Sequence, residues 1–313
     1  MKKKLKNTLY EYTLNSRITT KELGKKTNSS QQSASYLLKT LKSKKIIQNE
    51  ATMVDAVKLG YINTLIGFNY TKLDNQTQKE VINELKRTKD IVGIEESKEG
   101  FDLLIEFSTQ NLAALNKIHT ELIYKLENKI KTMFIFPIIT RYVYPRKYLK
   151  TVRTPKAKIL FGNRNPPKMT QNDTLVLKEL VREPTQKIID ISEKTKINMK
   201  TVTKTKKNLE KKFIIKGYTA TLDNKKLGIN REIIFLRFSG EGLRELNKFL
   251  DFSRGHKNII ETIKVIGSSQ IIITVESLNE IEIIKELRSL FRIENYMIFR
   301  SSEIYKKTFL PEQ

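Results

Sequence analysis

Two kinds of hydrophobic spacing alternate along this chain. The first has a helical period. Ala34, Leu37, Leu38 and Leu41 follow the i, i+3, i+4, i+7 rule of a helix with one buried face. The opposite face carries Gln31, Gln32, Ser35, Tyr36 and Lys39. Ser30 precedes this helix as an N-cap, with Ser33 in its first turn. A shorter helix is expected over 20–27, with Leu23 inward, and a break at Asn28-Ser29 separates the two. The arrangement returns later: a helix at 174–182, another at 188–195 with Ile191 inward, and a break at Lys196-Ile197. A third then follows the N-cap Asn198, with Val202, Thr205 and Leu209 inward. Its outer face shows Met199, Lys200, Thr201, Thr203, Lys204 and Lys207. Each third helix leads into a strand-like run at Ile46-Ile47 or Ile214-Ile215, the shape expected of a wing.

The second kind of spacing is β-rich. Residues 62–70, 90–96, 101–107 and 131–136 read as strands, with helices at 76–87 and 111–126. The order βαββαβ repeats at 231–238, 243–252, 258–266, 270–275, 279–291 and 295–300. That order predicts a ferredoxin-like sandwich with helices on one face of an antiparallel sheet. An apolar second face needs a partner, and another such domain is the obvious one.

One offset relates the halves. A shift of 168 residues lays Lys26-Thr27 on Lys194-Thr195, Asp55 on Asp223, and Lys58-Leu59-Gly60 on Lys226-Leu227-Gly228. It also matches Ile66 with Ile234, Ile91 with Ile259 and Asn111 with Asn279. The fold class expected is therefore α+β, with two winged helix-turn-helix domains alternating with two βαββαβ domains. The boundaries read as 1–55, 56–144, a basic linker at 145–168, 169–223 and 224–313. The linker holds Pro155, Pro166, Pro167 and Gly162, and its Ile159-Leu160-Phe161 island is apolar enough to pack.

Charge sharpens the reading. The formal net charge is +25, concentrated in blocks: +9 over 1–50, −1 over 51–137, +9 over 138–168, +6 over 169–217 and +2 over 218–313. A general bias toward lysine would spread evenly, whereas a polyanion-binding module concentrates it. Short polar donors at the start of a third helix, with lysines beyond, form the layout of a major-groove reader. Glutamine pairs with adenine, serine serves either base type, and lysine reaches guanine or phosphate. Double-stranded DNA is the expected partner.

Cysteine is absent, and His119 and His256 are the whole histidine complement. Thiol chemistry and cysteine metal sites are excluded, and acid–base or metal chemistry by histidine is poorly supplied. No cofactor, no metal and no enzymatic activity are expected. With no apolar run of membrane length and no signal-peptide pattern, a cytoplasmic protein working at the nucleoid is expected.

A basic helix-turn-helix, then Asp55-Ala56-Val57-Lys58-Leu59-Gly60 leading into a βαββαβ domain, resembles the Lrp/AsnC (feast/famine) regulators. The motif recurs at Asp223-Asn224-Lys225-Lys226-Leu227-Gly228, so the resemblance covers nearly the whole chain, twice. It implies a DNA-reading domain and a sandwich that self-associates, within one chain or between chains. It also implies a small-molecule effector such as an amino acid, held near a glycine and an acid after an aromatic. Glu99-Gly100-Phe101-Asp102 comes near that pattern, and Gly267-Ser268-Ser269-Gln270 lacks both aromatic and acid. An ordinary β-turn also accounts for residues 99–102. Two other functions compete with sequence-specific regulation. One is an architectural protein that coats DNA, favoured by 45 lysines against 14 arginines. The other is an enzyme, because some proteins resembling this family decarboxylate haem precursors.

Overall fold

The computed structural model describes residues 1–97, 99–127, 129–150, 157–161 and 166–311. Pro155 and Gly162 of the linker lie outside them. The first helical head is α1 (Lys3–Leu14), α2 (Thr20–Lys26) and α3 (Gln31–Ser43), followed by β1 (Ile47–Val54). The first sandwich comprises β2 (Ile62–Tyr70), α4 (Asn75–Arg87), β3 (Ile91–Ser97), β4 (Leu103–Thr109), α5 (Leu112–Lys125) and β5 (Ile130–Val143). A short β6 (Lys158–Leu160) precedes the second head: α6 (Gln171–Arg182), α7 (Ile188–Thr195), α8 (Met199–Lys211) and β7 (Ile215–Leu222). The second sandwich runs α9 (Asn224–Leu227), β8 (Asn230–Phe238), α10 (Leu246–Gly255), β9 (Ile259–Val265), β10 (Ile271–Ser277), α11 (Ile283–Leu290) and β11 (Ile293–Lys307). The α+β class with paired heads and sandwiches is as the periodicity predicts.

The sandwiches find their partner in each other. Strands run in the order β2-β4-β3-β11-β8-β10-β9-β5, and β5 pairs back to β2, so two open sheets close into one antiparallel barrel. The seams are β3–β11 and β5–β9. Period-two alternation sorts the side chains. Ile66, Phe68, Ile105 and Phe107 face α4 and α5, and Ile234, Leu236, Ile271 and Ile273 face α10 and α11. Leu65, Leu104, Ile233, Phe235, Ile263 and Ile272 point into the barrel. Closure removes the four sheet edges that two separate sandwiches expose.

One part of the interior is aromatic. Phe101 lies 4.7 Å from Phe299 between ring centres, and Phe134 stacks on Phe136 at 4.5 Å. Gly67 makes this possible, because a Cβ there would meet the Phe134 ring at 2.4 Å. The other part is ionic. Arg141 on β5 grips Glu106 on β4 with two hydrogen bonds of 2.7 and 2.8 Å, and lies 3.3 Å from Glu261 on β9. Arg231 on β8 grips Glu95 on β3 at 2.7 and 3.2 Å and Glu276 on β10 at 2.9 Å. Arg146 and the Tyr148 hydroxyl donate to the same Glu276, each at 2.8 Å. Each cluster spans the two sandwiches, Glu106 to Glu261 and Glu95 to Arg231, so buried charge fixes the register of the closure.

The heads are swapped across the barrel. Leu9, Tyr12, Leu38 and Leu41 of the first head pack with Tyr148 and Leu149 of the expected linker and with Ile229 and Ile260 of the second half. Val176, Leu180, Val202 and Leu209 of the second head join Met53, Val54 and Ala56 of the first. The expected linker is partly built into this core: Tyr148, Leu149, Leu160 and Phe161 are all buried. Leu160 and Phe161 of the apolar island thus pack, and Ile159 stays exposed.

Candidate nucleic-acid interface

The strand after each third helix is not a free wing. β1 and β7 pair antiparallel with each other, from Ile47 opposite Leu222 to Val54 opposite Ile215, and the resulting ribbon joins the heads. Its ends are tied by two matching crossings: Asp55 N–H donates to the Ile214 carbonyl at 2.9 Å, and Asp223 N–H to the Ile46 carbonyl at 2.8 Å. The repeated Asp-x-x-Lys motif adds a second matched pair. Lys58 donates to the Lys212 carbonyl at 2.8 Å, and Lys226 to the Lys44 carbonyl at 3.0 Å. Lys44 and Lys212 cap the C-terminal ends of α3 and α8. Each lysine thus meets the negative end of the other copy's third helix. Sequence reasoning used this motif only as a landmark; its recurrence at a constant offset was the available signal.

The helix-turn-helix geometry follows from local chemistry. Asn28 and Lys196 adopt left-handed conformations, φ 51° and 56°, at the two breaks. Ser30 Oγ accepts from Ser33 N–H at 3.1 Å and Asn198 Oδ1 from Thr201 N–H at 2.8 Å, so both N-caps are formed. Ala34, Leu38 and Leu41 of α3, and Val202, Thr205 and Leu209 of α8, are buried. Gln31, Gln32, Tyr36 and Lys39 of α3 are exposed, and Ser35 is half-buried. Tyr36 is 74% exposed. Met199, Lys200, Lys204 and Lys207 form the exposed face of α8. Two expected donors are already engaged: Ser33 Oγ accepts from Lys4 at 2.6 Å, and Thr203 Oγ1 donates to the Met199 carbonyl at 2.8 Å. Lys4 itself, on α1, was not singled out from the sequence.

Residues 99–102 form a tight connection between β3 and β4. Gly100 has φ +91°, and a Cβ there would meet the Ile298 carbonyl at 2.8 Å. Phe101 is buried in the aromatic half of the barrel, Asp102 accepts from Tyr70 N–H at 2.7 Å, and Glu99 pairs with Arg300. The histidines lie on separate sandwiches. His119 meets Thr132 Oγ1 at 2.9 Å and His256 lies 3.3 Å from Glu286, and burial lowers the pKa of both. Among the described residues no group of His, Cys, Asp or Glu has the arrangement of a metal site, and no helix is long and apolar enough to cross a membrane.

No family model and no curated protein matches the sequence. The fold does match solved structures. The siroheme decarboxylase NirDL superposes on 98% of this chain and 94% of its own, with TM-score 0.58 at 13% identity. The same enzyme in co-complex with an iron-uroporphyrin III analogue gives TM-score 0.57, 13% identity and the same coverage. An AsnC family transcriptional regulator from Agrobacterium tumefaciens matches 43% of this chain and 89% of its own at 15% identity, TM-score 0.37. The full-length likeness is one of fold, and it corrects the expectation that this chain is no enzyme. That expectation rested on scarce histidine and absent cysteine. The architecture spanning this whole chain is one on which a decarboxylase is built, and arginine, lysine, tyrosine and carboxylate remain available to chemistry.

Proposed function

We propose that this chain is a sequence-specific DNA-binding regulator whose two different reading heads act as a unit. The observation that carries the reading is the reciprocal arrangement of α3 and α8. Both present solvent-exposed outer faces, and the β1–β7 ribbon, the crossed lysines and the closed barrel hold them in one body. Gln31, Gln32 and Ser35 supply base-edge contacts from the first head; Lys200, Lys204 and Lys207 supply phosphate contacts from the second. Ser30, Tyr36, Lys39, Asn198 and Met199 complete the surface. Because the faces differ, the operator is asymmetric, with its halves about one helical turn apart, roughly 34 Å. An effector, where one acts, does so on this assembly, and the protein works at the nucleoid.

Titration of a duplex at several salt concentrations tests the reading. Six or more phosphate contacts give a log–log slope steeper than about −5, and a flat response overturns it. The architectural alternative is separated by the ratio of specific to non-specific affinity: a ratio near one favours coating.

The full-length likeness to a siroheme decarboxylase supports a second reading, action on a tetrapyrrole. Incubation with an iron-uroporphyrin III analogue tests it directly, since binding perturbs the chromophore's visible spectrum.

A further inference from the structure

The two heads end their third helices in the same turn and fill it differently. After α3, Lys45 N–H donates to the Lys42 carbonyl and Ile46 N–H to the Leu41 carbonyl, each at 2.9 Å. After α8, Phe213 N–H donates to the Glu210 carbonyl and Ile214 N–H to the Leu209 carbonyl, each at 3.0 Å. This doubly bonded helix end needs a left-handed residue, and glycine is its usual occupant. Lys45 has φ 51° and Phe213 φ 54°. A bulky ring in that conformation strains the backbone, and here the ring is also 61% exposed. Its neighbours Leu209 and Ile214 join the core, and Phe213 does not. The ring rests against Lys58 and Lys216, whose ammonium groups lie 5.8 and 5.3 Å from its centre. Phenylalanine is thus unfavourable here in both backbone and solvent.

The surroundings of the ring are cationic. Lys200, Lys204, Lys207 and Lys211 recur at the spacing of one helix face, and all four are exposed. At 1.5 Å per residue the stripe is about 17 Å long, and it stops just before Phe213. The major groove is about 12 Å wide, so a stripe of that length set across it passes over a phosphate strand toward the minor groove. The matched positions in α3 are Gln32, Tyr36, Lys39 and Ser43. The heads therefore exchange an aromatic for a lysine at two stations. Tyr36 stands against Lys204 inside the helix, and Lys45 against Phe213 at its end.

We propose that Phe213 is a wedge that enters the minor groove beside the half-site held by α8 and partly unstacks one base step. The proposal rests on the DNA reading, and it gives the second head a source of sequence preference that needs no base-edge donor. Inserting an apolar side chain costs unstacking energy, which the bent duplex returns as wider contact. Pyrimidine–purine steps such as TA open most easily, whereas A-tracts are stiff. The lysines hold the phosphates, so charge positions the duplex while the ring senses its deformability.

Two duplexes of equal length and composition test it with the full chain: one of alternating A·T pairs, rich in TA steps, and one continuous A-tract. Wild type should prefer the alternating duplex about tenfold, within the range that one base-pair position contributes. It should also bend that duplex, read by energy transfer between the duplex ends. Phe213→Gly should lose the preference and the bend with its salt slope unchanged, since no charge is removed. It should unfold no earlier than wild type, because glycine accepts the left-handed turn without strain. Phe213→Leu, another apolar wedge, should keep part of the preference. Lys204→Ala should weaken both duplexes and keep it. Wild type binding neither duplex takes down the DNA reading and the wedge with it. Wild type binding both alike, or Phe213→Gly retaining the full preference, overturns the wedge alone. Unfolding of Phe213→Gly well below wild type also overturns it, by making the ring a structural cover for Lys58.

Discussion

Glu106→Gln tests the account of how the two halves are held together. Glu106 is 3% exposed and Arg141 1%, and the pair shares two hydrogen bonds inside the barrel. The substitution keeps the shape and removes the charge. Arg141 is then left with Glu261 at 3.3 Å, and Lys307 loses a carboxylate at 3.8 Å. Breaking a buried pair from one side costs about 3–5 kcal/mol, because an uncompensated charge stays buried. In a chain of this size that corresponds to a fall in Tm of roughly 10 °C. Replacing both partners, as in Glu106→Gln/Arg141→Met, recovers much of the loss. The pH dependence has a definite sign. Burial alone pushes the Glu106 carboxyl up, but Arg141 and Lys307 outweigh it and hold the pKa at about 2, below the ordinary 4.5. The stabilisation is complete above pH 4.5 and is lost as pH falls through about 2, so wild type and variant converge within that window. Calorimetry from pH 7 downward measures both. A variant within about 0.5 kcal/mol of wild type at pH 7, the usual effect of a surface change, refutes the reasoning.

Gln32→Ala should cost on the order of 1–3 kcal/mol at the preferred DNA site and less elsewhere, whereas Lys204→Ala should weaken all sequences alike; competition binding separates them. Lys226→Ala touches no expected DNA contact, yet losing its bond to the Lys44 carbonyl should cost about 0.3–1 kcal/mol, measurable as earlier thermal unfolding. Phe161→Ala should cost about 3–5 kcal/mol, because a fully buried ring leaves a cavity over Arg141. A loss below 1 kcal/mol by denaturant titration would mean that the Leu160-Phe161 segment packs loosely.

Most elements were legible because periodicity reports burial, and burial decides these elements. Helices expected at 76–87 and 111–126 run Asn75–Arg87 and Leu112–Lys125. The informative departures are the last strands. Expected at 131–136 and 295–300, they extend to Val143 and Lys307, and the surplus is the part that crosses to the other sandwich. Long-range pairing leaves no local periodicity to read. The ionic layer was hidden for a related reason. Glu106, Glu261 and Glu276 sit in β-rich runs where a charge usually marks a solvated face, and only closure of the barrel turns that face inward. In the reading heads the exposed faces were legible and the engaged hydroxyls were not: Ser33 is tied by Lys4 from another helix.

The central claim is that one chain places two unlike reading heads on DNA. Selection of bound fragments from the host genome, followed by motif finding and footprinting of the best site, tests it most directly. The account predicts an asymmetric motif with two dissimilar halves about one helical turn apart, roughly 34 Å. The half facing the first head tolerates few base changes. A perfect palindrome, or fragments recovered without any shared motif, would contradict it.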